Sequence, residues 1–405
     1  MGQGEAVMTV KRDIKASWKA ATRLVHGGQT RSQFKETAET IYMTSGYVYE
    51  SAEEAEAAFD NSKPRFVYSR FGNPTVAMFE QRMAAIEGAE AARATSSGMA
   101  AVFAALACQV RAGDRVVASD ALFGSCQFIL AEILPKWGVE TVFVDGRDLS
   151  QWKDALAKPT RAVFLETPSN PSLRLVDLKA VCDLAHAAGA TVVVDNVFAT
   201  PLLQQPLQLG ADVVVYSATK HIDGQGRCLG GVILGSEKFI NETLQPFIRH
   251  TGPSLSPVNA WTLLKGLETL DLRVAKQCDS AFRIAQALKG HDKLASVLYP
   301  GLKDFPQYDL AQKQMSAGGT MLSLTLAGGK AEAFRFLNAL ELVLISNNLG
   351  DSKSLATHPA TTTHQRLTPE LKESQGITQG LIRLSVGLEH PDDLIDDLTN
   401  ALKAV

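Results

Sequence analysis

The sequence predicts an α/β fold, with a large domain around a mostly parallel sheet followed by a smaller α+β domain. Three observations carry this. Apolar, β-branched runs recur without polar alternation, as strands buried on both faces do. Segments with helical spacing separate these runs and supply the crossovers that parallel pairing requires. Several runs end on an acidic or hydroxyl residue, and ligands in such folds sit at the carboxyl ends of strands.

Residues 1–63 are irregular and polar. Within them Thr40-Ile-Tyr-Met-Thr-Ser-Gly-Tyr-Val-Tyr49 suits an extended arm. Over residues 64–257 helices and strands alternate. Gly98 to Val110 is rich in alanine and other apolar residues and reads as a helix. Arg115 to Ala118, Glu140 to Asp145, Ala162 to Glu166, Thr191 to Asp195 and Asp212 to Tyr216 read as buried strands. Leu178 to Ala188 reads as a helix closed by Gly189. Residues 258–405 form the smaller domain, opening with a helical region from about Asn259 to about Lys289. There Gly319 to Ala327 and Leu381 to Gly387 alternate in the manner of half-exposed strands.

A chain of 405 residues, 45% hydrophobic and 20% charged, can bury a large core and divide into two domains. Its net charge of -3, with lysines and arginines dispersed, gives no footing for nucleic acid or an anionic membrane. No apolar stretch approaches the roughly 20 residues of a membrane helix. The opening Met1 to Asp13 has no apolar core of a secretory signal. Cys108, Cys126, Cys182, Cys228 and Cys278 are scattered and form no C-x-x-C pair. That pattern predicts a reducing compartment, the cytoplasm by default, and no metal site.

The chemistry concentrates at Asp212-Val-Val-Val-Tyr-Ser-Ala-Thr-Lys220-His-Ile-Asp-Gly224. A lysine where a buried strand ends loses its proton more readily than a surface one, because desolvation disfavours the ammonium. Such an amine is suited to Schiff-base chemistry with a carbonyl. Upstream, Thr191-Val-Val-Val-Asp195 ends on a carboxylate. A lysine after a strand is commonly a solvated end, and a lone aspartate commonly a turn residue. In combination, Asp195, Ser217, Thr219 and Lys220 offer what pyridoxal phosphate needs. These are an amine for its aldehyde, an anion facing its ring nitrogen and donors for its phosphate.

The segment Ser217-Ala-Thr-Lys220, continuing to Gly224-Gln-Gly226, resembles the cofactor-lysine signature of the Cys/Met-metabolism pyridoxal-phosphate enzymes. These include cystathionine synthases and lyases, methionine γ-lyases and homoserine-ester sulfhydrylases. The resemblance runs from about Thr37 to Glu389. Leu122-Phe-Gly-Ser-Cys126, Lys220-His-Ile-Asp-Gly-Gln-Gly226 and Asn347-Asn-Leu-Gly-Asp-Ser-Lys-Ser-Leu355 are most similar to the sulfhydrylase branch. It implies a fold-type I, aspartate-aminotransferase-like architecture with a seven-stranded sheet. The implied reaction is γ-replacement, in which sulfide and O-succinylhomoserine give homocysteine and succinate. Cystathionine γ-synthesis and γ-elimination are the alternatives within the family, and a non-catalytic cofactor-binding regulator is the alternative outside it.

The resemblance also assigns residues. Ser96-Ser-Gly98-Met99 opens a helix, which by itself is either a plain cap or an anion site. The family places Gly98, Met99, Ser217 and Thr219 around the cofactor phosphate. Tyr68 and Arg70 match a pair that reaches the phosphate of a neighbouring subunit, which implies a shared active site and a tetramer built as a dimer of dimers. Phe123 matches the residue stacked on the ring, where many relatives have tyrosine. Without a hydroxyl it relays no proton, which leaves acid–base work to Lys220 and Tyr68. Asn170 matches the partner of the ring hydroxyl. Arg383 lies in an apolar strand and needs an anion, either a nearby carboxylate or the substrate α-carboxylate that the family assigns to it. Asn348 stands where lyases and cystathionine synthases commonly have serine and sulfhydrylases tend to have asparagine, and the resemblance implies that it joins Arg383 in substrate binding. His221, His358 and His364 are expected to be structural. Gly224-Gln-Gly226 lacks the third glycine of a dinucleotide fingerprint, and no G-x-S-x-G elbow is present.

Overall fold

The computed structural model describes residues 10–11, 15 and 17–405. The opening segment expected to lack a secretory signal therefore lies mostly outside the described residues. Seven strands form the main sheet: β1 (Ala91–Thr95), β2 (Arg115–Ser119), β3 (Glu140–Val144), β4 (Ala162–Glu166), β5 (Thr191–Asp195), β6 (Val213–Ser217) and β7 (Gly231–Gly235). Their spatial order is β1-β7-β6-β5-β4-β2-β3. Strands β2 to β6 pair in parallel, and β7 runs antiparallel to both of its neighbours.

The apolar runs become strands because helices cover both faces of the sheet. Val116, Val163, Val192 to Val194 and Val213 are fully buried. The final strand of this set is displaced by one residue from the sequence reading. Asp212 stays outside β6, where its carboxylate accepts from the Val192 backbone at 2.7 Å, and Ser217 becomes the last strand residue. The helix opened by Ser97 spans Gly98–Ala107 and stops short of Val110. The helix before β5 spans Leu178–Ala187.

Two helices, Pro257–Leu267 and Leu270–Leu288, replace the single expected helical region and lead to the smaller C-terminal domain. Its sheet contains β8 (Leu294–Leu298), β9 (Met321–Leu326), β10 (Leu344–Ile345), β11 (Leu355–Thr357) and β12 (Leu381–Ser385), in the order β8-β9-β12-β11-β10. The strands expected to be half-exposed are not so. Strands β9 and β12 alternate in polarity, yet both are almost wholly buried. Leu322, Leu324, Ile382 and Leu384 face the domain's own helices. Ser323 and Arg383, the polar positions, face the large domain instead of water. Ser323 donates to the Pro171 carbonyl, and Arg383 donates to Asn170 at 3.1 Å.

Among its described residues the stretch 1–63 holds two helices, Ala20–His26 and Ala52–Phe59, and a short antiparallel pair of Val10–Lys11 with Thr30–Arg31. It is tied to the large domain by a buried ion pair between Glu39 and Arg82. Among the described residues no helix is long and apolar enough to cross a membrane.

Candidate active site

The ends of β4, β5 and β6 converge. Parallel register sets Glu166 beside Asp195 and Asp195 beside Val215, so two carboxylates and the chain leading to Lys220 share one edge. Just beyond β6 the backbone turns tightly. The Lys220 amide donates to the Ser217 carbonyl at 3.2 Å, and Gly224 donates to the Lys220 carbonyl at 2.8 Å. That turn lifts the lysine side chain off the sheet edge, where its Nζ donates to Asn348 Oδ1 at 2.7 Å. Burial, reinforced by the Arg383 charge, brings the Lys220 amine down to about 8.

Asp195 is 8% exposed and accepts from the Val197 backbone at 3.1 Å. Burial raises its carboxyl above the usual range. Glu166 is raised still further, first by burial and then by Asp195. Two adjacent buried carboxyls resist holding two charges, so this pair favours a cationic group of a ligand bound against the strand ends.

Arg383 arrives from β12. Its two terminal nitrogens donate to Asn170 Oδ1 at 3.1 Å and to the carbonyls of Asn347 and Asn348, each at 2.9 Å. Its Nε is buried without a hydrogen-bond partner. The anion that an apolar-strand arginine requires is thus not supplied by an aspartate or glutamate in direct contact, and an open donor is left for a ligand carboxylate.

The phosphate candidates also meet. The helix Gly98–Ala107 is capped by the Ser97 side chain, which accepts from Ala100 at 3.2 Å. Gly98 lies against Ser217 so closely that a Cβ there would come within 2.5 Å of the Ser217 Cβ. Only glycine permits that approach, which joins a helix N-terminus to the hydroxyl at the end of β6. Thr219 Oγ1 is held between the Gly230 amide at 3.1 Å and its carbonyl at 3.3 Å.

Phe123 begins the short helix Gly124–Phe128, and its ring meets His364 edge-on at 6.5 Å. Burial holds His364 down to about 4 and His221 down to about 3, so both imidazoles are neutral near pH 7. His221 is tied to Thr320 at 2.7 Å, and His358 is held by Thr361 and the Gln379 carbonyl, each at 2.8 Å. Tyr68 and Arg70 do not join this group within one chain. Arg70 donates to the Arg249 carbonyl and covers the Phe71 ring, and Tyr68 is 41% exposed.

Sequence reading missed Glu166 as a site residue. One of its oxygens accepts from the Phe123 amide at 2.8 Å and the other from the Asn170 amide at 2.7 Å. It therefore spans the two loops that carry the expected ring-stacking and ring-hydroxyl residues. The available signal was a glutamate closing an entirely apolar run, as Asp195 closes the next one.

A cavity of about 630 Å³ opens beside Lys220, Thr219, Ser96 and Asn348. A larger one, about 850 Å³, is lined by Arg65, Arg93 and Arg249 and includes none of Lys220, Asp195, Glu166, Arg383 or Asn348. The smaller cavity is the candidate site, because the amine and its hydrogen-bond partner line it. A lowered amine, paired carboxyls lacking a cation, an open buried guanidinium donor and a glycine-made anion cradle together fit pyridoxal phosphate.

A family model described as Cys/Met metabolism PLP-dependent enzyme matches residues 21–403. An O-succinylhomoserine sulfhydrylase of Mycobacterium tuberculosis is 59% identical over 386 residues, covering 94% of this chain and 95% of that protein. One from Pseudomonas aeruginosa is 45% identical, covering 95% of each chain. Among solved structures, a protein described as an O-acetylhomoserine (thiol)-lyase from Campylobacter jejuni superposes with a TM-score of 0.91 at 32% identity. The match covers 95% of this chain and 100% of that one, which carries N'-pyridoxyl-lysine-5'-monophosphate.

Proposed function

Because the chain belongs to the Cys/Met-metabolism PLP-dependent enzymes, we propose that it catalyses γ-replacement on O-succinylhomoserine, with sulfide as nucleophile. The products are homocysteine and succinate. The observation that carries the reading is the buried Lys220 amine, brought down to about 8 and held on Asn348 within the site cavity. The sulfhydrylase relatives, at 59% and 45% identity, are more similar than an L-methionine gamma-lyase of Porphyromonas gingivalis at 40%, which favours replacement over elimination.

Pyridoxal phosphate, when bound, supplies an aldehyde that condenses with amines and a ring that draws electrons from the substrate. Lys220 would hold the cofactor aldehyde through Nζ, and the same amine in its neutral form would serve as the base at the substrate α-carbon. Its lowered pKa keeps a usable neutral fraction near pH 7 to 8. Asp195 would keep the ring nitrogen protonated, Asn170 would partner the ring hydroxyl and Phe123 would cover the ring face. Gly98, Met99, Ser217 and Thr219 bind the phosphate through backbone amides and hydroxyls. Arg383 fixes the α-carboxylate with its open Nε. Asn348 keeps its amide nitrogen for the same carboxylate while Oδ1 steadies the lysine. In the net reaction the Cγ–O bond breaks, succinate leaves with that electron pair, and a Cγ–S bond forms to sulfide.

Tyr68 and Arg70 complete a neighbouring copy's phosphate site and Tyr68 shares its acid–base work, so the working form is a dimer at least, assembled as a tetramer. Five free cysteines suit a reducing compartment, the cytoplasm. A competition assay tests the activity. Sulfide and cysteine are each offered with O-succinyl- and O-acetylhomoserine, and sulfide with the succinyl ester should give product fastest. Cystathionine formed from cysteine as the main product, or 2-oxobutanoate without homocysteine, would overturn the reading.

A further inference from the structure

The site cavity has two cationic side chains on its lining, Lys220 and Arg227, and no acidic residue. Lys220 is committed to chemistry. Arg227 has no part in the machinery described above, yet it is built with care. It follows Gly226, whose φ of +67° lets the chain turn back toward the cavity after Lys220. Its amide donates to Asp223 Oδ2 at 2.6 Å, its Nε to Asp223 Oδ1 at 2.9 Å and its Nη2 to the Asp223 carbonyl at 2.9 Å. The guanidinium is therefore clamped along one edge by a fully buried carboxylate. Nη1 makes no hydrogen bond with any described residue, and the side chain is 35% exposed.

The clamp does not cancel the charge. Asp223 also acts on the buried Arg273, and Asp351, close to Gly226, is paired with Lys353 at 2.8 Å. Three cations, Arg227, Arg273 and Lys353, thus share the two carboxylates Asp223 and Asp351. A ligand reaching this wall meets a fixed positive fork whose orientation is already settled, so little side-chain entropy is lost on binding.

We propose that Arg227 binds the terminal carboxylate of the succinyl group and thereby sets a preference for O-succinylhomoserine over O-acetylhomoserine. This rests on the γ-replacement activity proposed above. The two esters share everything Lys220, Asn348 and Arg383 engage. They differ in one group, a carboxylate in the succinyl chain that the acetyl ester lacks. With Lys220 committed to chemistry and Arg383 assigned to the α-carboxylate from outside this lining, Arg227 is the remaining cation on the cavity lining, and its Nη1 is open. A charge-assisted contact there distinguishes the esters in a way that cavity size alone does not.

The test compares kcat/KM for both esters, with sulfide, in the cofactor-loaded parent enzyme, Arg227→Gln and Arg227→Lys. Losing one charge-assisted contact should lower the succinyl-to-acetyl ratio about 10- to 100-fold in Arg227→Gln. Arg227→Lys, which retains a charge and a partner for Asp223, should fall between. Free succinate should inhibit the parent competitively, with an inhibition constant that rises about as much in Arg227→Gln as the ratio falls. An unchanged ratio, or equal losses on both esters with succinate inhibition intact, overturns the assignment. A parent enzyme that prefers the acetyl ester also overturns it, while leaving sulfhydrylation standing. Only a parent that makes homocysteine from neither ester refutes the underlying activity.

Discussion

Titrating the Lys220 amine in the cofactor-free chain probes the site at its chemical centre. Burial, then Arg383, places that amine at about 8 in place of 10.5. At pH 7.5 about a quarter of it is neutral, against about a thousandth of an ordinary lysine, a roughly 200-fold gain in reactive amine. Stopped-flow absorbance, following chromophore growth when apoenzyme meets pyridoxal phosphate between about pH 6.5 and 9.5, reads this directly. The sign follows from the reactive form being the deprotonated one. The rate constant should climb with pH and level off above about 8. Arg383→Gln should move the midpoint upward by removing the second cause of the shift. A rate that still climbs tenfold per pH unit from about 8.5 to 9.5 would show an ordinary lysine and refute the reasoning.

Three further perturbations have defined outcomes. Glu166→Gln puts an amide N–H against one of two backbone N–H groups, costing about 1.5–3 kcal/mol. Cofactor retention in a dialysis assay should weaken about 10- to 100-fold, and undiminished retention contradicts the bridging role. Gly98→Ala drives a Cβ to within 2.8 Å of three Ser217 atoms, so the helix start must shift. Its cofactor affinity, measured by fluorescence quenching of the apoenzyme, should drop at least about tenfold, as for a lost phosphate contact. Asp195 has a raised carboxyl when no cation faces it. The neutral form is then the stabilised one, so its contribution to apoenzyme stability is present below the unfolded pKa and is lost as pH rises through the raised value. The apoenzyme melting temperature should fall between about pH 4 and pH 7, and Asp195→Asn should flatten that slope. Parallel slopes in variant and parent would contradict it.

Strands buried on both faces announce themselves in sequence, because nothing polar can be tolerated along them. Val192 to Val194 and Val213 to Val215 are examples, and their acidic or hydroxyl ends, Asp195 and Ser217, mark where the sheet meets the site. The same reasoning misjudged β9 and β12. Alternation says that one face is polar, and it does not say whether water or another domain meets that face. Arg383 and Ser323 are polar and buried because Asn170 and Pro171 cover them. Glu166 escaped notice for a related reason. Its partners, Phe123 and Asn170, are backbone amides, and backbone leaves no mark in residue identity. Arg227 was invisible as a site residue because its Asp223 clamp is a normal i,i+4 pair until the cavity is seen. Tyr68 and Arg70 were assigned only through resemblance, and within one chain their contacts lie elsewhere.

The most direct measurement is borohydride reduction of the cofactor-loaded enzyme, followed by proteolysis and mass mapping of the pyridoxyl label. Label on Lys220 alone, with loss of the visible chromophore and of homocysteine formation, is the expected result. Label on a different lysine, or a chromophore that borohydride leaves untouched, would contradict the assignment of this amine and the site built around it.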